Sequence, residues 1–133
     1  MIEYRRATEN DIEQLAKFRV RQLIDEGYQP TKIERELRQY FSDSLANGSL
    51  ICWVGTVNKE VVATAALCFY QLPPSFSNPS GRVAHITNIY TVSTLRRQGI
   101  ASHLVQVLLD EAKALNYTSV RLHASNDGRN IYV

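Results

Sequence analysis

A short polar run in the last third of the chain has the residue types of an anion-binding loop. It reads Arg96-Arg97-Gln98-Gly99-Ile100-Ala101 and stands directly before a long amphipathic stretch. The first amides of a helix lack partners and carry a partial positive charge, so a phosphate placed there is stabilised by the backbone itself. Gly99 lets an anion approach closely because it has no Cβ, and Arg96 and Arg97 add positive charge at the rim. The run therefore predicts a pyrophosphate site.

The better-known phosphate motifs do not fit this run. The G-x-x-x-x-G-K-[ST] pattern is absent, and only one glycine stands where a dinucleotide-binding fingerprint needs three. An ordinary helix start with solvated arginines is the alternative interpretation. The position of the run, between a strand pattern and a strongly amphipathic helix pattern, favours the anion site.

The elements that position the run follow from apolar periodicity. Five strands are predicted at residues 2–6, 50–57, 61–70, 83–92 and 119–124. Helical spacing predicts one helix after a capping box of Thr8 and Asp11, one capped by Thr31 and ending at Asn47-Gly48, and one over residues 99–115. A further helix is expected to begin within residues 127–133.

Two strand pairings follow from this order. Residues 50–57 and 61–70 flank an Asn58-Lys59-Glu60 turn and predict an antiparallel hairpin, whereas strand, helix and strand over residues 83–124 predict a parallel βαβ unit. We expect an α/β fold with a mixed, mostly antiparallel central sheet flanked by helices. Simple alternation along residues 83–92 places positions 85, 87, 89 and 91 on one face. The Pro- and Ser-containing loop over residues 72–81 is expected to border a site.

Composition narrows the class of protein. The chain has 133 residues, 44% hydrophobic and 21% charged, which fits a single globular domain. A formal net charge of +2 is too small to indicate a nucleic-acid binder. No segment reaches the roughly 18 apolar residues of a membrane span, and no signal peptide is evident, so we expect a cytoplasmic protein without membrane attachment. Cys52 and Cys68 have no zinc spacing, so we expect reduced cysteines and no metal.

The central part of the chain resembles the GCN5-related N-acetyltransferase (GNAT) family. The resemblance rests on the strand His85-Ile86-Thr87-Asn88-Ile89-Tyr90-Thr91-Val92, on Leu95 and the run that follows it, and on Leu104. The run fits the acetyl-CoA motif of that family, [QR]-x-x-G-x-[GA]. The resemblance implies acetyl-CoA as co-substrate, and an amine of a small molecule or peptide as acceptor.

The same resemblance implies where acetyl-CoA binds. Its pantetheine arm enters a gap beside the strand before the loop and pairs with backbone groups of Ile89, Tyr90, Thr91 and Val92. Its pyrophosphate lies on the loop and helix start, formed by Arg96, Arg97, Gln98, Gly99, Ile100, Ala101 and Ser102. Ser125 stands where the family often has an asparagine, with Asn126 one position further on.

Acetyl transfer from a thioester to an amine needs a neutral amine, a polarised carbonyl and a protonated leaving thiolate. A backbone N–H near Tyr90 to Val92 can polarise the carbonyl. By resemblance, Tyr132 is the candidate acid, with a packing tyrosine as the alternative. His85 is eleven residues before Arg96, where some relatives have a catalytic glutamate. It is the candidate base, directly or through water, although a structural histidine is equally compatible.

The acceptor site is expected opposite the cofactor, near the second helix and residues 72–81, with Tyr28, Tyr40 and Phe76 as candidate lining or packing residues. The family usually continues past the tyrosine through further strands, whereas this sequence ends at Val133. We therefore expect one acetyltransferase domain over residues 1–133, truncated at its C-terminus. Its exposed fifth strand favours a homodimer. A non-catalytic acyl-CoA-binding module and a protein-interaction domain are the two alternatives.

Overall fold

A computed structural model describes residues 1–122, and within them the sequence forms three α-helices and five strands. The elements are β1 (Ile2–Arg6), α1 (Ile12–Asp25), α2 (Glu34–Asn47), β2 (Leu50–Val57), β3 (Glu60–Gln71), β4 (Arg82–Thr91), α3 (Ile100–Ala114) and β5 (Val120–Leu122). Short 3-10 turns at Glu9–Asp11 and Ser93–Leu95 precede α1 and α3. The helix expected within residues 127–133 lies outside the described residues.

One sheet contains all five strands in the order β1-β2-β3-β4-β5. Neighbouring strands from β1 to β4 are antiparallel, and β4 pairs with β5 in parallel. The turn between β2 and β3 has positive φ at Asn58 and Lys59, the conformation that joins tight hairpins. Both predicted pairings, the hairpin and the parallel βαβ unit, are confirmed.

The helices cover the two faces of the sheet unequally. On one face, α3 buries Leu104 and Leu108 against Ala84 and Ile86 of β4. On the other face, α1 and α2 bury an apolar cluster whose members are Leu15, Phe41, Leu50, Cys52, Val54 and Ala66. The sheet is thus buried on both sides at its centre, which explains the nearly continuous apolar runs of β2 and β3. The predicted fold class is confirmed.

The starts of α1 and α2 are stabilised differently. Before α1, the Thr8 backbone N–H donates to the Asp11 carboxylate at 2.8 Å, and the Thr8 side chain closes the predicted capping box. The α2 helix begins at Glu34 rather than after Thr31, so the predicted Thr31 cap is wrong. Its N-cap, Ile33, offers no side-chain acceptor, and the acidic residues of the first turn favour the helix dipole instead.

Side chains of β1 and β2 fix the position of α3. The Trp53 indole N–H donates to Glu111 at 3.0 Å, and the Arg6 guanidinium lies 2.7 Å from the same carboxylate. Burial acts to raise the pKa of Glu111, but the hydrogen bonds from Arg6 and Trp53 outweigh it and leave that pKa lowered. These contacts hold the last half of α3 against the sheet, so its first turn stands beside the end of β4.

Neither Cys52 nor Cys68 is in a disulfide; Cys52 is buried and Cys68 is half-buried. Burial raises the pKa of the Cys52 thiol to about 12, which leaves it an inert thiol at neutral pH. Among residues 1–122, no helix combines the length and the apolar character that crossing a membrane requires.

Candidate functional site

A β-bulge interrupts β4 at Asn88. On β3, Thr64 and Ala66 are two positions apart, but their partners Tyr90 and Thr87 on β4 are three apart. Asn88 takes φ of 59°, in the left-handed region that asparagine tolerates better than most residues. One extra residue is therefore inserted into β4, which changes the direction of everything that follows it.

The bulge corrects the simple alternation expected for this strand. His85 and Thr87 pair with Cys68 and Ala66, which face the α1–α2 side. Beyond the bulge, Tyr90 faces that side too, since its ring lies 4.9 Å from Phe18 of α1. Thr91 pairs with Ala63, which belongs to the α3 side. The prediction that positions 85, 87, 89 and 91 share one face is wrong beyond residue 87, because the inserted residue inverts the order.

The bulge also decides which backbone groups point away from β3. Before it, the Ala84 N–H donates to Ser119 on the β5 side at 3.0 Å. After it, the Val92 N–H donates to Val62 of β3 at 2.9 Å. Since alternate residues of an antiparallel strand direct their amides to opposite edges, Thr91, and Ile89 two residues earlier, direct theirs away from β3. Within the described residues, the β4–β5 pairing ends at Ile86 and Leu122.

The loop after β4 ends in a helix start without a side-chain cap. Arg97 and Gly99 both have positive φ, at 66° and 82°, and Gly99 is the N-cap of α3. The Gly99 carbonyl accepts from the His103 N–H at 3.0 Å, so the amides of residues 100–102 precede the first helical hydrogen bond. Ile100 and Ala101 are buried, which fixes the first turn, whereas Gly99 and Ser102 are exposed. The loop presents unpaired donors to the surface.

Arg96 braces this loop. Its Nε donates to the Thr91 carbonyl at 2.8 Å, and its Nη2 lies 3.0 Å from Asp25 at the end of α1. The guanidinium also lies 5.2 Å from the centre of the Tyr90 ring. The positive charge of Arg96 is therefore largely balanced by these contacts within the protein. The Arg97 and Gln98 side chains are exposed.

A space opens on each side of the last part of β4. A groove of about 360 Å³ lies beside α3 and the β4–β5 pair, and among its lining residues are Ile86, Ser102 and Gln106. A second, of about 370 Å³, lies beside α1, and Phe18, Tyr90 and Val92 contribute to it. The loop thus stands between a space on the α3 side and a space on the α1 side.

His85 lies at the point where the described β4–β5 pairing is about to end. Its backbone pairs with Arg121, one residue before the last pair, and its carbonyl accepts from the Cys68 thiol at 3.5 Å. The Tyr70 ring packs edge-on with its centre 6.2 Å from the imidazole. His85 is half-buried on the α1–α2 side. His103, by contrast, stacks on Tyr4 of β1, with 3.9 Å between the ring centres.

Sequence reasoning missed Asn88. The residue is 4% exposed, and among residues 1–122 neither its amide nitrogen nor its amide oxygen has a hydrogen-bond partner. A buried, unsatisfied amide costs about 1–3 kcal/mol, so such groups indicate a site for a ligand or an ordered water. Asparagine is unfavourable inside strands, and its presence in the middle of residues 83–92 was the available signal for a bulge.

Other residues predicted for the site are exposed on the surface or lie outside the described residues. Tyr28, Tyr40 and Phe76 are exposed rather than packed in the core. The candidate acid Tyr132 and the candidate cofactor residue Ser125 lie outside the described residues.

Comparison with known proteins identifies the class to which this fold and loop belong. Residues 17–131 match the acetyltransferase (GNAT) family. The chain therefore belongs to the GNAT acetyltransferase family, and the resemblance seen in the sequence is confirmed.

Solved structures agree. A predicted acetyltransferase from Clostridium acetobutylicum, crystallised with acetyl-CoA, is 44% identical with a TM-score of 0.94, over 99% of this chain and 86% of that one. A GCN5-related N-acetyltransferase from Ralstonia eutropha is 24% identical with a TM-score of 0.92, over 99% and 89%. Glucosamine-6-phosphate N-acetyltransferase from Arabidopsis thaliana is 17% identical with a TM-score of 0.74, over 99% and 88%. The last two support the fold alone. A search of curated proteins returned no significant match.

Proposed function

We propose that this protein is an N-acetyltransferase that moves the acetyl group of acetyl-CoA to a primary amine of a small molecule or peptide. The observation that carries the proposal is the bulge at Asn88, which turns the amides of Ile89 and Thr91 away from β3, beside a start of α3 that has no side-chain cap. A backbone edge next to a cluster of free amides suits a ligand that joins an amide-containing arm to a pyrophosphate.

In this proposal the cofactor is held mainly by the backbone. The amides of residues 97–102 receive the pyrophosphate, with Arg97 adding charge from the rim. The pantetheine arm pairs with Ile89 and Thr91. Val92 contributes to the wall of the groove that holds the cofactor. Its N–H does not bind the cofactor, because it already donates to Val62 of β3. Arg96 acts by bracing the loop, and Ser125 is a further proposed contact.

The acetyl carbonyl is polarised by an outward-facing N–H of the same edge, in the manner of an oxyanion hole. His85, one residue before the last described pair of β4 and β5, accepts the amine proton, directly or through water. The amine then attacks the thioester carbon without a covalent enzyme intermediate. As the C–S bond breaks, Tyr132 gives its proton to the leaving thiolate, and the proton that the acylated nitrogen loses on becoming an amide restores the Tyr132 hydroxyl. The bound substrates supply the partners that the Asn88 amide lacks.

A thiol-release assay tests the function. The wild-type protein should release coenzyme A from acetyl-CoA in the presence of primary amines. Tyr132→Phe should lower the maximal rate with little change in acetyl-CoA affinity. Tyr4→Phe, which removes a hydroxyl from a tyrosine packed against α3, should leave the maximal rate unchanged. His85→Gln should alter the acid limb of the pH–rate profile. Unchanged turnover in either variant removes that residue from its role.

The alternative is a non-catalytic acyl-CoA-binding module on the same fold. Binding of acetyl-CoA with no thiol release for any amine would favour it. A protein-interaction domain predicts no binding at all: a ligand at about one hundred times its dissociation constant adds about 2.7 kcal/mol of stability, so an unchanged melting temperature would exclude our proposal. The homodimer and the cytoplasmic location stay predictions.

A further inference from the structure

A polar pair on α1 lies on the α1–α2 side of the sheet and has no role in the fold that its contacts explain. The pair is Arg19 and Gln22: Arg19 Nη1 donates to Gln22 Oε1 at 2.8 Å. Arg19 is half-buried, and within residues 1–122 no carboxylate lies within ion-pair distance of its guanidinium. A partly buried cation without an anion is unfavourable unless a ligand supplies the charge.

Gln22 is the second, independent observation. It is 2% exposed, and its Nε2 has no hydrogen-bond partner within the described part of the chain. The assignment of its amide follows from chemistry, because a guanidinium only donates and must therefore meet the oxygen. The NH2 group is left as a buried donor on the other side of that amide. Arg19 and Gln22 themselves thus present unused donors and no unused acceptor, which suits an oxyanion. The carboxylate of Glu26, whose Oε2 is buried, lies one turn further along α1.

The pair lies within the stretch of α1 that contacts the cofactor loop. Phe18 contacts Tyr90 of β4 at 4.9 Å between ring centres, and Asp25 meets Arg96 at 3.0 Å. Arg19 and Gln22 lie between these two contacts on α1. The charge of Arg19 also acts on the thiol of Cys68, which pairs with His85 across β3 and β4. Burial raises the pKa of that thiol, and the positive charge of Arg19 acts to lower it. The site therefore faces the same side of the sheet as His85.

We propose that Arg19 and Gln22 bind a carboxylate of the amine acceptor, so that the acceptor class is amines carrying a carboxylate, such as amino acids or the C-terminal end of a short peptide. One guanidinium and one neutral amide supply a single positive charge and several N–H donors, which suits a monoanionic carboxylate. A phosphate dianion would leave one charge unbalanced. This proposal rests on the acetyltransferase function proposed above.

Paired substrates test it. Thiol release from acetyl-CoA is measured with glycine, β-alanine, γ-aminobutyrate, phenylalanine and glutamate, each against its methyl ester, and with O-phosphoethanolamine against ethanolamine. We expect at least one free amino acid to exceed its ester by about tenfold or more in kcat/KM. Arg19→Gln should bring that ratio close to one without changing the KM for acetyl-CoA. Gln22→Leu should reduce the ratio part of the way.

Arg21→Gln is the matched control, because it removes the same charge from an exposed position of the same helix and should keep the ratio. Each ratio compares two substrates on one protein sample, so a smaller folded fraction in a variant cancels. Three results would overturn the carboxylate site without affecting the acetyltransferase proposal. They are turnover with no preference for the free carboxylate, a carboxylate preference that survives Arg19→Gln, and a preference for the phosphorylated amine. No turnover with any amine would overturn both.

Discussion

Gly99 and Gly48 have almost the same backbone conformation at two different places. Both have φ of 82°, with ψ of 8° at Gly99 and 6° at Gly48, and a Cβ added at either would meet nothing within 4 Å. The left-handed conformation costs a residue with a side chain roughly 1–2 kcal/mol. The two glycines differ only in what lies beside them, since Gly99 caps the helix start at the cofactor loop and Gly48 ends α2.

We therefore predict that Gly99→Ala and Gly48→Ala lower the free energy of unfolding by a similar amount, about 1 kcal/mol. Only Gly99→Ala should weaken acetyl-CoA binding, by about tenfold, because its methyl group occupies the approach of the pyrophosphate. Urea denaturation and isothermal titration measure the two effects. Equal acetyl-CoA affinity in the two variants would place the pyrophosphate elsewhere.

Two substitutions can separate the backbone conformation of Asn88 from the role of its side-chain amide. Asn88→Gly keeps a residue that adopts φ of 59° and removes an unsatisfied buried amide, so we predict unchanged or greater stability. Asn88→Val places a β-branched residue in the left-handed region and should cost more than about 2 kcal/mol. Turnover should fall in both variants. Full activity in the stable Asn88→Gly protein would show that the amide serves no substrate.

At the residue scale, the sequence predicted what depends on residue type alone. Gly99 as the helix start followed from its lack of a side chain and from the pattern after it. The brace formed by Arg96 did not, because its partner Asp25 is 71 positions away in the chain. Asn88 was missed because residues 83–92 were predicted as one regular strand with simple alternation, which leaves no place for an inserted residue.

At the scale of the elements, the Asp11 carboxylate at the start of α1 makes the stability of the fold depend on pH. The Asp11 carboxylate is buried and receives two hydrogen bonds from Arg5, at 2.8 and 3.0 Å, besides its cap to Thr8. The hydrogen bond from Arg5 is the main cause that lowers the pKa of Asp11. A carboxyl whose pKa is lower in the folded state stabilises the fold above the unfolded pKa of about 4, and that contribution is lost as pH falls through the folded pKa.

We predict that Asp11→Asn costs about 2 kcal/mol at neutral pH, since it removes a charged cap and a paired carboxylate. The deficit should shrink as pH is lowered from about 5 toward 3, where the wild-type carboxyl becomes protonated as well. Urea denaturation across that range measures it. Asp43→Asn, at an exposed position on α2, is the control and should show little deficit at any pH. A constant Asp11→Asn deficit would contradict the pKa argument.

The order and type of the elements could be predicted because each carries its own periodicity. The capping box at Thr8 and Asp11 was found for the same reason, as a local pattern. The α2 start was misplaced because dipole stabilisation by Glu34 and Glu36 leaves no single cap residue to recognise. The bulge in β4 was missed because register depends on the facing strand β3, which a strand pattern read alone does not contain.

For the molecule as a whole, the GNAT family sets the fold and the general reaction, and the carboxylate proposed at Arg19 would set the acceptor. The whole-molecule prediction from sequence was the most successful, since the acetyl-CoA motif and the element order agreed with each other. The acceptor could not be predicted, because Arg19 and Gln22 look like ordinary helix residues until α1 is placed against β3 and β4.

The central claim is that the backbone of the β4–α3 loop binds acetyl-CoA. The most direct test is to follow the backbone amide signals of the 15N-labelled protein by NMR during titration with coenzyme A. We predict the largest chemical-shift changes at residues 97–102 and at Ile89 and Thr91, with the amides of α2 nearly unchanged. Saturating coenzyme A that leaves the loop amides unmoved would contradict the account.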